Sequence, residues 1–328
     1  MKQPLVELEN LSKSYPVKNR QNPLRKHQIK AVNNLSLSVG QGEVFGLVGE
    51  SGCGKSTLGQ MLAGLLPPTA GKILYKGKSA GQMTAKEKKA MRLEIQIVLQ
   101  DPYASLNPKH KIGWLVEEPL AIHTGLSAPQ RKKRAAEMLE TVGLDAGYLN
   151  RYPHELSGGQ RQRVSIAAAL MLAPLLLVAD EAVSALDVSV QSQILNLLKN
   201  LKEQKKLTYL FISHDLNVVQ YMSDRIGVMY LGQLVEYGSV EQVYGNARHP
   251  YTRALLSAVP SVGGGAKTRI VLEGEVPSLL NPPAGCAFFS RCRLATPFCA
   301  QHAPAMQQVA EGHCARCHFA REEGAKVV

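Results

Sequence analysis

Cysteine and long hydrophobic runs are both scarce in this 328-residue chain. The most apolar run is "VSIAAALMLAPLLLVA", residues 164–179, which is short for a membrane span and is interrupted by Pro174. We interpret it as the end of a helix, a turn and a buried strand. The first residues, "MKQPLVELENLSKSY", lack the apolar centre of a secretory signal peptide. We therefore expect a soluble, cytoplasmic protein.

Acidic residues are fewer than basic ones, 26 against 38, and the formal net charge is +12. This balance favours a polyanionic partner, which could be a nucleic acid, nucleotide phosphates or an anionic membrane surface. The basic residues are dispersed along the chain instead of forming one basic tail. Charge alone therefore does not choose among these three partners.

Buried-strand and helix patterns alternate along most of the chain, which predicts an α/β fold with a largely parallel core sheet. A polar, basic loop is expected at residues 17–30, between two strands, and "RIGVMYLGQLVEYGS" predicts a hairpin that turns at Gly232. Residues from about 95 to 165 predict a mainly helical subdomain, and residues 260–268 predict a linker. One late helix should bury a single apolar face, formed by Val190, Ile194, Leu197, Leu198 and Leu201.

"GESGCGKST", residues 49–57, follows a predicted strand and precedes a predicted helix. This is the context that identifies a phosphate-binding loop, because glycines let backbone N–H groups close around phosphate oxygens at a helix N-terminus. Lys55 should reach the β- and γ-phosphates, and Ser56 should ligate Mg²⁺. An ordinary glycine-rich turn would not need the strand and helix on either side.

"LLLVADE", residues 175–181, carries two acids to the end of a buried strand. Asp180 is expected to hold Mg²⁺ through water, and Glu181 is placed where a carboxylate could polarise the attacking water. Such acid pairs are common at strand ends, so this prediction depends on the phosphate loop that precedes it.

"LSGGQ", residues 156–160, predicts a second anion site, because Ser157 and two glycines open an apolar helix. Two phosphate-binding loops in one chain are difficult to use in a monomer. If two chains pair head to tail, loop 49–57 of one chain faces loop 156–160 of the other, with ATP between them.

Residues 5–257 taken together resemble ATP-binding-cassette (ABC) ATPases. The resemblance implies an ABC-type nucleotide-binding domain with a parallel-sheet core, an antiparallel β subdomain and a helical subdomain. It implies adenine stacking for Tyr15, contact with Mg²⁺, the nucleophile and the transport machinery for Gln100, and γ-phosphate sensing for His214. The full nucleotide-binding set is Tyr15, Gly49, Ser51, Gly52, Cys53, Gly54, Lys55, Ser56, Thr57, Gln100, Asp180, Ser157, Gly158, Gly159, Gln160 and Asp187, with Lys55, Gln100, Glu181 and His214 as catalytic residues and Ser56, Gln100 and Asp180 at Mg²⁺.

"QDPYASLNP", "VSALDVSVQSQILNLL" and "HPYTRALLSAVP" resemble the ATPase subunits of dipeptide and oligopeptide importers. This implies an ABC domain at 1–257 and a C-terminal extension at 258–328. It also implies a second, paralogous ATPase subunit, two membrane permeases that contact residues 100–114, and an external solute-binding protein. The chain would lie peripherally on the cytoplasmic side of the inner membrane, without a nucleic-acid partner.

Two residues depart from the subfamily pattern. Ala182 stands where proline usually follows the glutamate, and Ala168 where arginine often occurs. Related nickel-importer ATPases also use "DEAVS", so importers of nickel, opines or glutathione remain alternatives. An ABC ATPase that works on nucleic acid is the alternative from another class, supported by the net charge, and a binding module without catalysis is a third.

Five of the six cysteines lie between residues 286 and 317. Free thiols, a structural zinc ion and an iron–sulfur cluster are the three interpretations, and structural disulfides are not expected in a reducing compartment. The tail resembles those that imply a [4Fe–4S] cluster in some peptide-importer ATPases. That resemblance implies Cys286, Cys292, Cys299 and Cys317 as ligands, with Cys314 as an extra thiol.

Overall fold

The computed structural model describes residues 4–18, 26–259, 269–280 and 282–321, so the predicted linker at 260–268 lies outside them. The strands are β1 (Pro4–Lys18), β2 (Lys26–Gly40), β3 (Val44–Val48), β4 (Ala70–Tyr75), β5 (Lys78–Ser79), β6 (Ile95–Val98), β7 (Leu176–Asp180), β8 (Thr208–Ile212), β9 (Arg225–Tyr230), β10 (Gln233–Ser239), β11 (Gln307–Ala310) and β12 (His313–Ala315). The helices are α1 (Lys55–Leu62), α2 (Ala85–Glu94), α3 (Pro102–Ser105), α4 (Ile112–His123), α5 (Ala128–Thr141), α6 (Gly158–Leu170), α7 (Val188–Lys205), α8 (Leu216–Met222), α9 (Val240–Gly245), α10 (Pro250–Ser257) and α11 (Pro297–Gln301).

The core sheet has the strand order β11-β12-β10-β9-β3-β8-β7-β6. Its strands from β9 to β6 pair in parallel, which confirms the predicted parallel core. Every residue of β3, β7 and β8 is buried, as expected for parallel strands that are covered on both faces. Because these strands run in the same direction, their carboxyl ends meet at one edge, and the phosphate loop and the acid pair begin there.

The second sheet has the order β2-β1-β4-β5 and is antiparallel. Its long β1–β2 ribbon continues to the pair Lys18 and Lys26. The prediction of a loop over 17–30 is therefore wrong at both ends, because strand pairing continues into this basic stretch. Residues 19–25 lie outside the described part of the chain.

Helices α3 to α6 form the helical layer, but its predicted start near residue 95 is wrong. Residues 95–98 are the strand β6, an apolar edge strand paired with β7, and α6 continues past 165 to Leu170. Leu120 and Leu139 are buried where α4 and α5 contribute to the core. Among the helices of the described segments, none is long and apolar enough to cross a membrane.

The C-terminal extension is attached to the core sheet through β12, which pairs with β10. Glu236 of β10 is fully buried and accepts hydrogen bonds from the backbone N–H groups of Arg248 and His249, at 2.7 and 2.8 Å. Its carboxylate also lies 2.8 Å from Nε2 of the buried His313 on β12. These partners satisfy a carboxylate that would otherwise be costly to bury. The proposed division at 257/258 stays a prediction, and the two parts share one sheet.

Candidate nucleotide site

The loop at residues 49–57 connects β3 to α1, and two of its glycines are required by close backbone contacts. Gly49 has φ 152° and Gly54 has φ 104°. A Cβ atom at Gly49 would lie 2.2 Å from the carbonyl oxygen of Met229, and one at Gly54 would lie 2.0 Å from that of Ala31. The loop therefore runs against β2 and β9 so closely that side chains at these two positions would block its path.

Lys55 begins α1 and is only 4% exposed. Its Nζ donates to the carbonyl oxygens of Gly49, at 2.8 Å, and Glu50, at 3.1 Å. The ammonium group thus lies inside the loop that the sequence assigns to phosphates. Cys53, within the loop, has a buried side chain. Burial raises the pKa of its thiol, although the nearby Lys55 opposes this rise. Ser51 and Gly52 are exposed, and Thr57 is half-buried in the first turn of α1.

Ser56 and Asp180 meet although 124 positions separate them in the sequence. The Ser56 hydroxyl donates to Asp180 Oδ1 at 3.0 Å. Asp180 is buried at the end of β7, and burial raises the pKa of its carboxyl group while the Ser56 hydrogen bond opposes the rise. A hydroxyl and a carboxylate are oxygen ligands of the kind that Mg²⁺ prefers. The pair therefore fits the predicted magnesium site.

The Glu181 carboxylate contacts two other predicted catalytic residues. Its Oε2 accepts a hydrogen bond from Gln100 Nε2 at 2.8 Å and lies 3.3 Å from His214 Nδ1. Glu181 has φ 49°, an uncommon left-handed conformation for a residue other than glycine. Its backbone is fixed there because its N–H donates to Ile212 and its carbonyl accepts from Ser184. The carboxylate is 14% exposed beside a His214 side chain that is 58% exposed, so it faces an accessible edge.

The second predicted loop begins α6, where Ser157 is the N-terminal cap. Ser157 Oγ accepts from the Gln160 N–H at 3.3 Å, and the Gln160 side chain accepts from the Ser157 N–H at 3.0 Å. This reciprocal pair satisfies N–H groups that a helix start leaves free. Gly158 and Gly159 follow within the first turn of α6.

Asp187 caps α7 and lies next to the α6 start. Its carboxylate accepts from the Val190 N–H at 2.9 Å, which lowers the pKa of its carboxyl group. A Cβ at Gly159 would lie 2.3 Å from Val190 Cγ1, so the two helix starts are in close contact. The structure therefore places Ser157 to Gln160 close to Asp187, at the neighbouring starts of α6 and α7.

Tyr15 lies in the β1–β2 ribbon, opposite Ile29. Its ring is half-buried, and Lys13 Nζ lies 5.4 Å from the ring centroid. Ile29 is two residues from Ala31, which contacts the phosphate loop at Gly54. This arrangement is compatible with the predicted adenine contact, which stays a prediction.

Comparison with known proteins gives consistent matches over nearly the whole chain. The family described as ABC transporter matches residues 32–184, and the oligopeptide/dipeptide transporter C-terminal region matches residues 235–299. The oligopeptide transport ATP-binding protein AppF of Bacillus subtilis is 46% identical over 96% of this chain and 97% of its own length. The dipeptide transport ATP-binding protein DppF of Haemophilus influenzae is 49% identical over 96% of both chains.

The chain belongs to the ATP-binding subunits of peptide ABC transporters. A further relative in this family, DppF of Escherichia coli, is 48% identical over 94% of this chain and 92% of its own.

Solved structures support the same family at the level of the cassette. A dimeric post-hydrolysis state of an ATP-binding cassette bound to ADP and Pi has a TM-score of 0.63 and 32% identity, over 72% of this chain and 98% of that one. A cassette from an ABC transporter complex of Clostridium perfringens has a TM-score of 0.64 and 28% identity, over 75% of this chain and 92% of that one. The predicted ABC fold and ATPase class are confirmed.

Four of the five late cysteines of this family member share one neighbourhood. Burial first, and then nearby thiol charges including that of Cys286, raise the pKa of Cys317 to about 12 and of Cys292 to about 11. The pKa of Cys317 is also affected by Cys299, whose carbonyl accepts from the Cys286 N–H at 2.8 Å. Yet over the described residues no three His, Cys, Asp or Glu side chains form a group that could hold a metal ion.

Cys314 contacts a residue of the core sheet. It lies on β12 opposite Tyr237 of β10. Burial and then a hydrogen bond with Cys314 raise the pKa of the Tyr237 hydroxyl to about 12. Cys314 thus contacts the core sheet through Tyr237, and the division of the late cysteines that the resemblance implies stays a prediction.

No pattern in the sequence indicates the group of side chains that surrounds Glu50, the second residue of the phosphate loop. The Tyr251 hydroxyl accepts from the Glu50 N–H at 3.0 Å. Arg291 of the extension donates through Nη1 to both Glu50 carboxylate oxygens, at 3.1 and 2.9 Å. Arg291 is 241 residues away from Glu50, so no local pattern could relate the two.

Proposed function

We propose that this chain binds ATP with Mg²⁺ at residues 49–57 and uses its hydrolysis to power the import of peptides. The main observation is the contact of Glu181 with Gln100 and His214 at the sheet edge where Ser56 contacts Asp180. These five side chains come from four separate segments of the sequence, since Asp180 and Glu181 are neighbours. Family membership over nearly the full length supports coupling to transport.

Lys55 supplies positive charge from within the loop, where it would turn from the loop carbonyls to the β- and γ-phosphate oxygens. Ser56 and Asp180 would hold Mg²⁺, which supplies charge neutralisation at the phosphates. Glu181 orients and deprotonates the attacking water. Gln100 and His214 fix the Glu181 carboxylate, so that little reorganisation is needed during the reaction.

The Ser157–Gln160 and Asp187 group acts in a dimer. Ser157 is exposed and Gly158 half-buried at the start of α6, where a helix N-terminus suits the γ-phosphate of ATP bound to a second subunit. The dimeric cassette bound to ADP and Pi supports a paired arrangement. We propose that the partner is a paralogous ATPase subunit, because the resemblance implies two related chains in these importers. Copurification of a tagged chain with a second ATPase of different mass tests this.

The membrane partners are two permeases, which residues 100–114 contact from the cytoplasmic side, with a solute-binding protein outside. Tyr103, at 66% exposure, and Trp114, at 42%, present apolar surface in this segment. Large exposed apolar groups favour a protein partner. The +12 charge does not require nucleic acid, since nucleotide phosphates and a membrane surface are anionic as well.

Peptides are the proposed solute because relatives named for oligopeptide and dipeptide transport match the chain through its extension. The solute-binding protein that works with this subunit provides the test. Mass spectrometry of ligands released from that protein should identify peptides. Nickel complexes, opines or glutathione in their place would overturn the substrate while leaving the ATPase assignment intact.

The extension is proposed to hold a [4Fe–4S] cluster on Cys286, Cys292, Cys299 and Cys317. Four soft thiol donors in one neighbourhood fit the chemistry of the cluster. The raised pKa values of Cys292 and Cys317 and the lack of a converged group in the described residues mean that the side chains must turn inward and lose their protons on binding. Such a cluster would cross-link the C-terminal extension, which contributes few residues to the core.

Anaerobic purification followed by iron, sulfide and zinc analysis tests the cluster. Four iron and four sulfide per chain are expected, and Cys317→Ser should lower both while Cys314→Ser should not. Stoichiometric zinc without sulfide would show that the cysteines hold a zinc ion and not a cluster. The absence of both metals would show that these cysteines are free thiols.

A further inference from the structure

The contact between Arg291 and Glu50 joins the extension directly to the phosphate loop. The Arg291 side chain is only 8% exposed, and that of Glu50 is 26% exposed. One guanidinium nitrogen of Arg291 contacts both carboxylate oxygens and also lies 3.5 Å from the Tyr230 hydroxyl. Charge-assisted hydrogen bonds of this kind are about twice as strong as neutral ones.

Glu50 is fixed from three directions. Its N–H donates to Tyr251, its carbonyl accepts from Lys55, and its carboxylate accepts from Arg291. The carbonyl contact involves the ammonium group proposed to reach the phosphates. A change in the position of Glu50 would therefore change both the course of the loop and the position of this lysine.

The position of Arg291 is set by aromatic packing within the same interface. Phe288, one turn earlier, is 2% exposed. Its ring centroid lies 5.3 Å from that of Tyr230 and 5.4 Å from that of Tyr251. Tyr251 is the residue that holds the Glu50 N–H. One buried aromatic cluster therefore holds both the arginine and the loop that it contacts.

A cavity separates the two parts beside this contact. Its volume is about 220 Å³, and it is lined by residues 50–53 of the loop and by Val276, Pro277 and Leu279 of the extension. The loop is thus not packed continuously against the extension at this point. The Arg291–Glu50 ion pair lies beside this cavity. It therefore restrains the loop at a place where the extension does not pack closely against it.

We infer that Arg291 is a positioning residue for ATP binding, which holds the phosphate loop in its binding conformation through Glu50. This inference rests on the proposed ATP site at 49–57. It gives the extension a role in nucleotide affinity that is independent of any metal on its cysteines. Loss of the ion pair should weaken nucleotide binding, because the loop would then have to be ordered at the moment of binding.

Calorimetric titration of the full-length chain with MgADP tests the inference without turnover. Arg291→Gln and Glu50→Gln should each raise the Kd by about fivefold, and the double variant should be no worse than either alone. Arg291→Lys should restore part of the affinity. In ATPase assays KM should rise by a similar factor while kcat stays within about twofold, the pattern of lost uniform binding.

Arg293→Gln is the matched control. Arg293 lies two residues away in the extension, contacts Glu273 and the Val271 carbonyl, and is 44% exposed. It should leave the Kd unchanged. A merely structural role for Arg291 would lower the unfolding temperature and leave the Kd of the folded fraction unchanged, and this outcome would overturn the inference.

Equal Kd values for the Arg291→Gln and Arg293→Gln variants, or additive effects in the double variant, would also overturn it. If Arg291→Gln does not fold, Glu50→Gln breaks the same pair from the loop, and an unchanged Kd in that variant counts against the inference. If the unmodified chain fails to bind MgADP, the ATP site is wrong and the inference falls with it.

Discussion

Replacing Glu181 by glutamine is the sharpest perturbation of the proposed reaction, because it removes the negative charge and conserves the shape. Glu181 Oε2 contacts Gln100 Nε2 at 2.8 Å and lies 3.3 Å from His214 Nδ1. The amide oxygen of glutamine can accept from the same groups. The Ser56–Asp180 contact and the Lys55 contacts do not involve the Glu181 side chain. Nucleotide binding should therefore persist.

The expected loss is confined to proton transfer and water orientation. An amide cannot take the proton of the attacking water, and general base catalysis contributes about 100- to 10,000-fold in rate. Hydrolysis should slow by that factor, equivalent to about 3 to 5 kcal/mol in the activation barrier. The Kd for MgATP should change by less than about twofold, and an ATP-bound dimer should accumulate because its release step is blocked.

Phosphate release under saturating MgATP measures the rate, and size-exclusion chromatography with light scattering measures the dimer. Glu203→Gln is the matched control, since Glu203 is exposed near the end of α7, at the opposite end of that helix from Asp187. It should behave as the unmodified protein. A Glu181→Gln variant with a rate close to that of the unmodified protein would refute the role of Glu181 as the base.

Lys55→Ala should raise the Kd for MgATP by at least about tenfold in calorimetry, because it deletes the buried cation of the phosphate loop, and an unchanged Kd would count against the loop assignment. Ser157→Arg in one chain of a defined heterodimer should disable the site built on the other chain's loop, and loss of nucleotide binding by the isolated chain instead would contradict head-to-tail pairing. Burial raises the pKa of Cys292 to about 11 and of Cys317 to about 12, so in metal-free protein both stay protonated at pH 8. Iodoacetamide should alkylate them slowly at pH 8 and faster toward pH 11, as measured by peptide mapping, and rapid labelling at pH 8 would contradict the burial.

Local patterns in the sequence predicted the elements that carry the chemistry. The hairpin turns at Gly232, with φ 77°, because only a left-handed residue closes that turn easily. The long helix α7 buries Ile194, Leu198 and Leu201 as predicted, but it also buries Leu195, whereas Leu197 is only half-buried. Helical periodicity gives the direction of the buried face, while the neighbouring elements decide its width.

Contacts between distant segments could not be predicted in this way. The pairing of β10 with β12 brings His313 to Glu236, 77 residues earlier, and Arg291 reaches Glu50 across 241 residues. These contacts depend on where the extension docks, and neither propensity nor periodicity encodes this. The phosphate loop could be predicted because its glycines and the helix that follows form a local sequence pattern. Its contact with Arg291 of the extension depends on tertiary structure, so no local pattern predicts it.

Peptide uptake by the reconstituted transporter tests the central claim most directly. Proteoliposomes would contain this chain, its partner ATPase and both permeases, with the cognate solute-binding protein and a labelled peptide outside and MgATP inside. The account predicts peptide accumulation that requires ATP and is abolished by Lys55→Ala, with Arg293→Gln transporting normally. ATP hydrolysis without peptide accumulation, or accumulation unaffected by Lys55→Ala, would contradict it.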